Sequence, residues 1–308
     1  MSKRVLITCP PMLAEVGQIN ELATEFGLEL ETAQVVQTLT EERLIELLPA
    51  FDGWIAGDDP GTECALESGH RGRLRAVVKW GIGIDNIDTT AIKRMGLSFT
   101  NTPGMFSNEV ADLVMGYLIA LTRKFIVIDA AVRKGNWIKP QGMSLRNKTA
   151  GVIGLGNIGQ AVIARLSTSG VKVIGYDPFV EGLSGVEVKH WPQRVEACDF
   201  LILCCALTPA NTHMLNHDVM ARTKKGAYII NVSRGGLIDE PALVQALQSG
   251  QIGAAALDVF QSEPLAVNSQ LTSMSQVLLG SHNASNTLEA VRATNRKAVE
   301  AISDMLLD

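Results

Sequence analysis

The stretch Ala150–Gly159, with the sequence AGVIGLGNIG, decides the fold because it joins a short apolar run to a glycine-rich turn. The apolar residues predict a buried strand, and the residues that follow, to about Thr168, predict a helix. In that context Gly154 permits a tight turn, and Gly156 lets a pyrophosphate group approach the backbone. Gly159 lets the helix and the strand pack closely, and the free amides of the helix N-terminus attract phosphate. The stretch therefore predicts a dinucleotide site.

An acidic residue at the end of the next predicted strand indicates which dinucleotide is bound. Asp177 follows the strand Lys172–Tyr176 and lies 23 positions after Gly154, close to the roughly 20 expected for a ribose-binding carboxylate. This carboxylate can accept a hydrogen bond from a ribose 2′-hydroxyl, and it would repel the 2′-phosphate of NADP. No arginine follows it, so the sequence predicts NAD. The structural alternative is an ordinary tight turn with a solvated aspartate at the strand end.

Length and composition limit the class of protein. The chain has 308 residues, of which 46% are apolar, and this length predicts two domains. The formal net charge is −5 and no basic stripe is present, which argues against nucleic acid and anionic membranes as partners. No apolar run reaches the roughly 20 residues that span a bilayer, and the start of the chain is typical of a first buried strand rather than a signal peptide.

The cysteines indicate a reducing compartment. There are five of them, at positions Cys9, Cys64, Cys198, Cys204 and Cys205, and none forms a CxxC pair. An odd number without metal-ligand spacing predicts reduced thiols, a cytoplasmic location and no metal site.

Short apolar runs alternate with amphipathic segments along the whole chain. We predict strands at Val5–Cys9, Gly53–Gly57, Ala76–Trp80, Ser98–Asn101, Thr149–Ile153, Lys172–Tyr176, Phe200–Cys205, Tyr228–Val232, Ala254–Val259 and Val277–Leu279. We predict helices near Leu13–Phe26, Glu41–Leu48, Thr89–Met95, Ser107–Lys134, Ile158–Thr168, Asp239–Gln248 and Thr287–Leu307. Strands that are apolar on both faces suit parallel sheets covered on both sides. The predicted fold is therefore α/β, with two Rossmann-like, doubly wound parallel-sheet domains and a cleft between them. Within it, the stretch Phe125–Trp137 fits either a dimer arm or plain core.

Three polar residues stand just after predicted strands in the second half of the chain. They are Arg234, Glu263 and His282. Ligands of open α/β sheets bind at the carboxyl ends of the strands, so we expect all three side chains to project toward the cofactor.

These three residue types match the oxidation of a 2-hydroxy acid. The reaction needs a base for the hydroxyl proton, and His282 has an ordinary pKa suited to proton exchange near neutral pH. A nearby Glu263 would orient the ring and favour its protonated form. Arg234 offers a planar fork for the substrate carboxylate and can polarise the C2 carbonyl. Each residue also has a structural alternative, as a surface residue, an exposed turn residue or a helix cap, and their shared position at strand ends is what favours catalysis.

Several longer motifs resemble the D-isomer-specific 2-hydroxyacid dehydrogenases over nearly the whole chain. Besides the segments above, the resemblance is carried by Gly81–Asp88, Asn101–Gly104, Val110–Asp112, Leu237–Glu240 and Ala255–Phe260. The resemblance implies catalytic roles for Arg234, Glu263 and His282. It implies a substrate domain of flavodoxin-like fold formed by residues 1–100 and 284–308, an NAD-binding Rossmann domain formed by residues 101–283, and a homodimer.

The resemblance also implies residues that line the cofactor and the substrate. The cofactor-lining positions are Gly154, Gly156, Asn157, Ile158, Gly159, Asp177, Cys205, Val232, Ser233, Arg234, Asp258, His282 and Ala284. The backbone at Ile82 and Gly83 matches the family's loop for the substrate carboxylate.

Among members of that family, the phosphoglycerate dehydrogenases are the most similar, especially in the run Gln245–Gln251. Two aspartates, Asp58 and Asp59, stand where those enzymes commonly have a phosphate-binding loop, and they would repel a phosphate if they faced the site. Lys79 stands where those enzymes usually have an arginine, which leaves one candidate phosphate contact. A chain that ends at Asp308 is expected to have no regulatory serine-binding domain.

Two other classes of function stay open from the sequence. The first is an NAD(H)-sensing interaction protein similar to corepressors, because a fold does not fix a function. The second is a hydrolase or lyase that uses the cleft without redox chemistry, although no GxSxG motif and no metal-ligand cluster supports it.

Overall fold

The computed structural model describes residues 2–307, which form twelve strands and eleven α-helices with a few short 3-10 turns. The first third of the chain contains β1 Lys3–Ile7, α1 Pro10–Leu13, α2 Val16–Phe26, β2 Leu28–Thr32, α3 Glu41–Leu47, β3 Gly53–Ala56, α4 Glu63–Arg71, β4 Ala76–Lys79, α5 Thr89–Met95 and β5 Ser98–Asn101. The remainder contains α6 Ser107–Arg123, α7 Phe125–Arg133, β6 Thr149–Ile153, α8 Asn157–Thr168, β7 Lys172–Tyr176, β8 Glu187–Lys189, β9 Phe200–Leu203, α9 His217–Arg222, β10 Ala227–Asn231, α10 Glu240–Gln248, β11 Ile252–Leu257, β12 Val277–Leu279 and α11 Leu288–Leu307.

The first compact unit, unit 1, holds the chain up to Met105 and again from Asn286 onward. Its five strands are parallel, in the order β2-β1-β3-β4-β5. Strands β3 and β4 are buried along their whole length, as expected for central strands covered on both faces. Helix α11 returns to this unit, where the indole Nε1 of Trp80 donates a hydrogen bond of 2.9 Å to Asn295 Oδ1.

The second unit, unit 2, extends from Phe106 to Ser285 around a seven-stranded parallel sheet. The strand order is β12-β11-β10-β9-β6-β7-β8, so the chain runs outward from β6 to β8 and then returns to β9 on the other side of β6. The order therefore reverses between β6 and β9. In doubly wound sheets, ligands bind outside the carboxyl ends of the strands at this point.

The predicted fold class, α/β with two parallel-sheet units, is confirmed. Most predicted strands and helices exist, with ends that shift by one to three residues. Strands β2 and β8 and helices α1, α4 and α9 were not predicted. The edge strand β2 has the sequence LELET, in which glutamates alternate with apolar residues, so it lacks the continuous apolar pattern of a central strand. The domain boundaries after residues 100 and 283 stay a prediction.

The predicted single helix Ser107–Lys134 is wrong, because the chain breaks it into α6 and α7. Lys124 has a φ of 57° in the left-handed region and ends α6, with its amide bonded to the carbonyls of Ala120 and Leu121. No residue of α7 is buried. The segment Phe125–Trp137 is therefore not part of the core. Of the two structures predicted for it, only the dimer arm remains.

Two chemical features of the chain bear on its class. All five cysteines are free thiols, of which Cys9 and Cys198 are buried. Among the helices described over residues 2–307, none is both long enough and apolar enough to cross a membrane. The cytoplasmic location stays a prediction.

A buried carboxylate joins the amino ends of the central strands in unit 2. Asp199, just before β9, accepts hydrogen bonds from the amide of Thr149 at 3.0 Å and from Lys224 Nζ at 2.6 Å, and Lys148 Nζ lies 3.7 Å away. Burial by itself would raise the pKa of Asp199, but the bonds from Lys224 and Thr149 outweigh it and hold the pKa below its ordinary value. The ionised carboxylate therefore stabilises the folded state.

Replacing this carboxylate is expected to destabilise the protein in a pH-dependent way. At pH 7, Asp199→Asn should lower the free energy of unfolding by about 1–3 kcal/mol, because hydrogen bonds to a charged group are lost. A lowered folded-state pKa means that the stabilisation is complete above the unfolded pKa of about 3.9 and is lost as pH falls through the folded pKa. Urea denaturation of the wild type and the variant should therefore give a constant difference above about pH 5 and a shrinking one below about pH 4.

The exposed Asp218, whose Oδ1 lies 3.3 Å from His217 Nδ1, offers a matched control as Asp218→Asn. That change should leave stability almost unaltered. If Asp199→Asn lowers the free energy of unfolding by the same amount at every pH, the stabilisation does not come from the charge of the carboxylate.

Candidate active site

The glycine-rich loop after β6 has the backbone that the sequence predicts. Gly154 has a φ of 96°, and a Cβ at this position would lie 2.6 Å from the amide nitrogen of Cys205. A Cβ at Gly159 would overlap the carbonyl oxygen of Gly154, so both positions need glycine. Gly156 has nothing within 4 Å of a Cβ, is exposed, and stands just before α8. A phosphate group can therefore approach the backbone there, and the loop fits a dinucleotide.

Asp177 is tied to this loop. Its Oδ2 accepts a hydrogen bond of 2.9 Å from the amide of Leu155, and its Oδ1 accepts one of 2.9 Å from the amide of Phe179. The carboxylate thus connects the carboxyl end of β7 to the glycine turn, and each of its oxygens keeps a second lone pair for a ligand. This arrangement fits a ribose hydroxyl beside the phosphate-binding turn.

Other predicted cofactor-lining residues lie on α8 and on loops around the same switch point. Asn157 is exposed and Ile158 is half-buried, both in the first turn of α8. Cys205 is half-buried, and its carbonyl oxygen accepts the hydroxyl of Ser233, which joins the loops after β9 and β10. Burial raises the pKa of Cys205 to about 11, so its thiol stays protonated and contributes an apolar wall.

Glu263 and His282 are in direct contact. His282 Nδ1 lies 2.7 Å from Glu263 Oε2, and the other oxygen, Oε1, accepts the amide of Phe260 at 3.0 Å. An ionised carboxylate can only accept, so Nδ1 carries the proton, and in the neutral ring Nε2 is the nitrogen that can take one. Both side chains are mostly shielded from solvent, with relative exposures of 24% for His282 and 21% for Glu263. The pair can therefore serve as an oriented acid–base group.

Arg234 follows β10, the strand next to β11, and its loop contacts the Glu263 loop. Its Nη1 donates to the carbonyl of Ser233 at 2.9 Å, and its own carbonyl accepts Asn231 Nδ2 at 2.9 Å. A Cβ at Gly235 would overlap the backbone of Phe260, whose amide binds Glu263. The glycine therefore brings the two loops into close contact.

Asp258 and Ala284 lie next to the turn after β12 that carries His282. Both are buried, and the amide of Ala284 donates to Asp258 Oδ2 at 2.8 Å. The hydroxyl of Tyr117 donates to Asp258 Oδ1 at 2.9 Å. The sequence pattern missed Tyr117, Asn231 and Gly280 as supporting residues, because nothing in their local context distinguishes them from ordinary core and turn positions.

The predicted substrate residues lie in unit 1. Ile82 and Gly83 stand in the loop after β4, where Asn101 Nδ2 donates to the carbonyl of Ile82 at 2.8 Å. Lys79 is buried, and its Nζ contacts Asp58 Oδ1 at 3.1 Å and the carbonyl of Trp80 at 2.9 Å. Its charge is therefore already paired within the unit.

Asp59 does not face solvent. It is fully buried and accepts hydrogen bonds from the amides of Leu39 at 2.7 Å and Gly57 at 3.1 Å, and from the hydroxyl of Thr8. Burial raises the pKa of Asp59. This aspartate is thus a structural residue of unit 1.

A Rossmann sheet with a glycine loop, a carboxylate bonded to that loop and a histidine–glutamate pair after its strands is typical of an NAD-binding dehydrogenase. Residues 115–284 match the family model described as D-isomer specific 2-hydroxyacid dehydrogenase, NAD binding domain. The chain belongs to this family, and NAD is its cofactor.

Individual relatives support the same assignment. The chain is 35% identical to D-3-phosphoglycerate dehydrogenase of Methanocaldococcus jannaschii over 98% of its own length, and it spans 57% of that protein. It is 34% identical to hydroxypyruvate reductase of Thermotoga maritima, covering 92% of this chain and 94% of that protein. Among solved structures, the apo form of D-lactate dehydrogenase from Escherichia coli matches with a TM-score of 0.84 at 27% identity, covering 98% of this chain and 96% of that one.

Removal of the Asp177 carboxylate is expected to change the choice of dinucleotide. Asp177→Ala should weaken NADH binding by about 10-fold, because a charge-assisted hydrogen bond and the anchor of the Leu155 amide are lost. NADPH binding should weaken less or improve, because the repulsion of the 2′-phosphate is removed. Dissociation constants from NADH and NADPH fluorescence titrations measure both effects.

Glu181→Ala, an exposed acidic change in the loop that follows Asp177, is the control and should alter neither constant. If the ratio of the NADH and NADPH dissociation constants is unchanged in Asp177→Ala, this carboxylate does not distinguish the two riboses.

Proposed function

We propose that this protein is an NAD-dependent dehydrogenase that moves a hydride to or from C2 of a small D-2-hydroxy acid. The observation that carries the proposal is the 2.7 Å contact between His282 Nδ1 and Glu263 Oε2 at the carboxyl edge of the NAD-binding sheet. Family membership supports the reaction class, because relatives of this chain are named phosphoglycerate dehydrogenase, hydroxypyruvate reductase and glyoxylate reductase.

In this proposal His282 exchanges the proton. During reduction of a 2-keto acid, the protonated ring donates from Nε2 to the carbonyl oxygen, and during oxidation neutral Nε2 accepts the hydroxyl proton. Glu263 fixes the ring through Nδ1 and favours its protonated form, since a carboxylate at hydrogen-bond distance stabilises the imidazolium. The bond from the Phe260 amide keeps the carboxylate itself in position.

Arg234 is the proposed partner of the substrate's negative charge. One of its nitrogens binds the Ser233 carbonyl, which limits the rotation of the guanidinium, and a guanidinium is a planar fork of donors that matches the geometry of a carboxylate. A guanidinium beside the C2 carbonyl would also stabilise the charge that develops on oxygen during hydride transfer.

The proposed cofactor site uses the loops at the switch point of unit 2. When bound there, NAD supplies the hydride acceptor or donor. The phosphates would lie on the turn from Gly154 to Ile158, the ribose would bind Asp177, and the nicotinamide end would lie among Cys205, Val232, Ser233, Asp258 and Ala284.

The substrate is proposed to be short, with its carboxylate bound by the backbone at Ile82 and Gly83. A phosphorylated acid such as 3-phosphoglycerate is one candidate, as the phosphoglycerate dehydrogenase relatives suggest. The pairing of Lys79 with Asp58 at 3.1 Å weighs against it, because that cation is already neutralised. Unphosphorylated acids of two or three carbons are therefore favoured.

Catalytic turnover tests the proposal directly. With NADH, the purified protein should reduce at least one acid of a panel comprising glyoxylate, pyruvate, 3-hydroxypyruvate and 3-phosphohydroxypyruvate, followed at 340 nm. His282→Ala should lower kcat by about 10²-fold or more, the usual contribution of a general acid–base group. The exposed His217→Ala is the matched control and should retain wild-type kcat.

An unchanged rate in His282→Ala would eliminate the proposed mechanism. Tight NADH binding with no turnover across the panel would instead favour an NAD(H)-sensing protein.

We also propose a homodimer in which α7 contributes the contact surface. Phe125, Ile126 and Val132 on α7, followed by Trp137, are exposed large apolar side chains. A groove of about 390 Å³ lies beside this helix and is lined in part by Leu121 and Val277. Exposed large apolar side chains of this kind are typical of a protein interface, and a second copy of the chain would cover them.

A charged residue in this surface should separate the subunits. Light scattering after size-exclusion chromatography is expected to give twice the 33.1 kDa chain mass for the wild type and a single chain mass for Ile126→Asp. Val36→Asp, at an exposed apolar position of unit 1, should remain dimeric. A dimer that persists in Ile126→Asp would place the interface elsewhere.

A further inference from the structure

The turn that carries His282 is built onto strand β11 rather than onto its own neighbours in sequence. Alternate amides of the turn donate to the end of that strand: Gly280 to the carbonyl of Leu257 at 2.7 Å, and His282 to the carbonyl of Asp258 at 2.7 Å. Ala284 then donates to the carboxylate of Asp258 at 2.8 Å. The main chain of Asp258 therefore binds the amide of the histidine, and its side chain binds the amide of Ala284.

His282 needs such support because its backbone is strained. It has a φ of 54°, in the left-handed region that few residues other than glycine adopt. A non-glycine residue keeps this conformation only when its surroundings hold it there. The hydrogen bonds on either side of His282 do so, and they also set the direction from which the ring reaches Glu263.

The Asp258 carboxylate is itself held from behind by Tyr117. This tyrosine lies on α6, is 8% exposed, and donates its hydroxyl to Asp258 Oδ1 at 2.9 Å, while Oδ2 takes the Ala284 amide. Burial, together with the negative carboxylate, raises the pKa of Tyr117, so the hydroxyl stays protonated and keeps donating. With Asp258 fully buried, each carboxylate oxygen has one donor and the side chain has one orientation.

Gly280 provides the space for this contact. A Cβ at this position would overlap both Asp258 Oδ1 and the Tyr117 hydroxyl. Gly280 does not have a positive φ, so its backbone does not require glycine. The missing side chain is therefore explained by the hydroxyl and the carboxylate that occupy its place.

We propose that Tyr117 and Asp258, accommodated by Gly280, are positioning residues that hold the His282 turn in the geometry required for proton transfer. Tyr117 acts through Asp258, and Asp258 acts through the amide of His282, bound by its carbonyl, and the amide of Ala284, bound by its carboxylate. The inference rests on the proposed acid–base role of His282.

The change Tyr117→Phe tests this chain of contacts, because it removes one hydroxyl and keeps the ring that fills the core. It is expected to lower kcat by about 5- to 20-fold, since a small displacement of a catalytic group is costly, and to leave the NADH dissociation constant within about 2-fold of wild type. Tyr228→Phe removes a tyrosine hydroxyl from the same unit, away from this turn, and is expected to retain wild-type kcat.

A double-mutant cycle separates positioning from general structural support. In the His282→Ala background, Tyr117→Phe should have no further effect on the residual rate, because no ring remains to be positioned. An equal fall in rate in both backgrounds, or a matching rise in the NADH dissociation constant, would overturn the proposal. If His282→Ala alone leaves the rate unchanged, the proposed function fails first, and that result is distinct from the others.

A second variant tests the steric part of the inference. Gly280→Ala should lower kcat at least as much as Tyr117→Phe, because the added methyl group displaces Asp258 or the tyrosine hydroxyl. Combining Gly280→Ala with Tyr117→Phe should restore part of that loss, since the hydroxyl no longer competes for the space. If kcat of the double variant falls by the product of the two single losses, with no recovery, the role assigned to Gly280 is contradicted.

Discussion

In a parallel sheet, the loops that follow the strands all lie at the carboxyl ends of the strands, and the site of unit 2 depends on this constraint. Strands β10, β11 and β12 are neighbours, so the loops that carry Arg234, Glu263 and His282 leave the sheet side by side although they are distant in sequence. Strands β6 and β9 place the glycine turn and Cys205 at the same edge. The loops proposed to bind the cofactor and the residues proposed for acid–base chemistry are therefore assembled by the same strand order.

Buried carboxylates fix the two edges of that sheet. Asp199 connects the amino ends of β6 and β9 through the amide of Thr149 and the charge of Lys224. At the carboxyl ends of the strands, Asp258 connects helix α6 to the turn of His282, because it binds the hydroxyl of Tyr117 and the amide of Ala284. In a low-dielectric interior a carboxylate must be fully bonded, and a fully bonded carboxylate has few orientations. Such groups give the loops the rigidity that an acid–base pair requires.

Unit 1 also contains buried or shielded charged side chains, and there they are paired within the unit. Asp59 is turned inward against backbone amides, and the ammonium of Lys79 is shielded from solvent beside Asp58. Residues that could have made an anion-binding loop are therefore engaged within the unit. This internal pairing is the physical basis for favouring a substrate without a phosphate.

The sequence by itself determined the class of fold, the glycine turn, the NAD-type acidic residue Asp177 and the identity of Glu263 and His282 as a candidate pair. These features depend on local patterns: apolar runs of strand length, glycines at fixed spacing, and polar residues directly after strands. Helix α4, the edge strand β2 and the break at Lys124 could not be predicted, because their local patterns are mixed or continuous with their neighbours. Only the tertiary structure decided that Lys79 is paired, that α7 is exposed, and that Tyr117 supports the histidine turn through Asp258. Each of these depends on contacts between residues far apart in the chain, which no local spacing records.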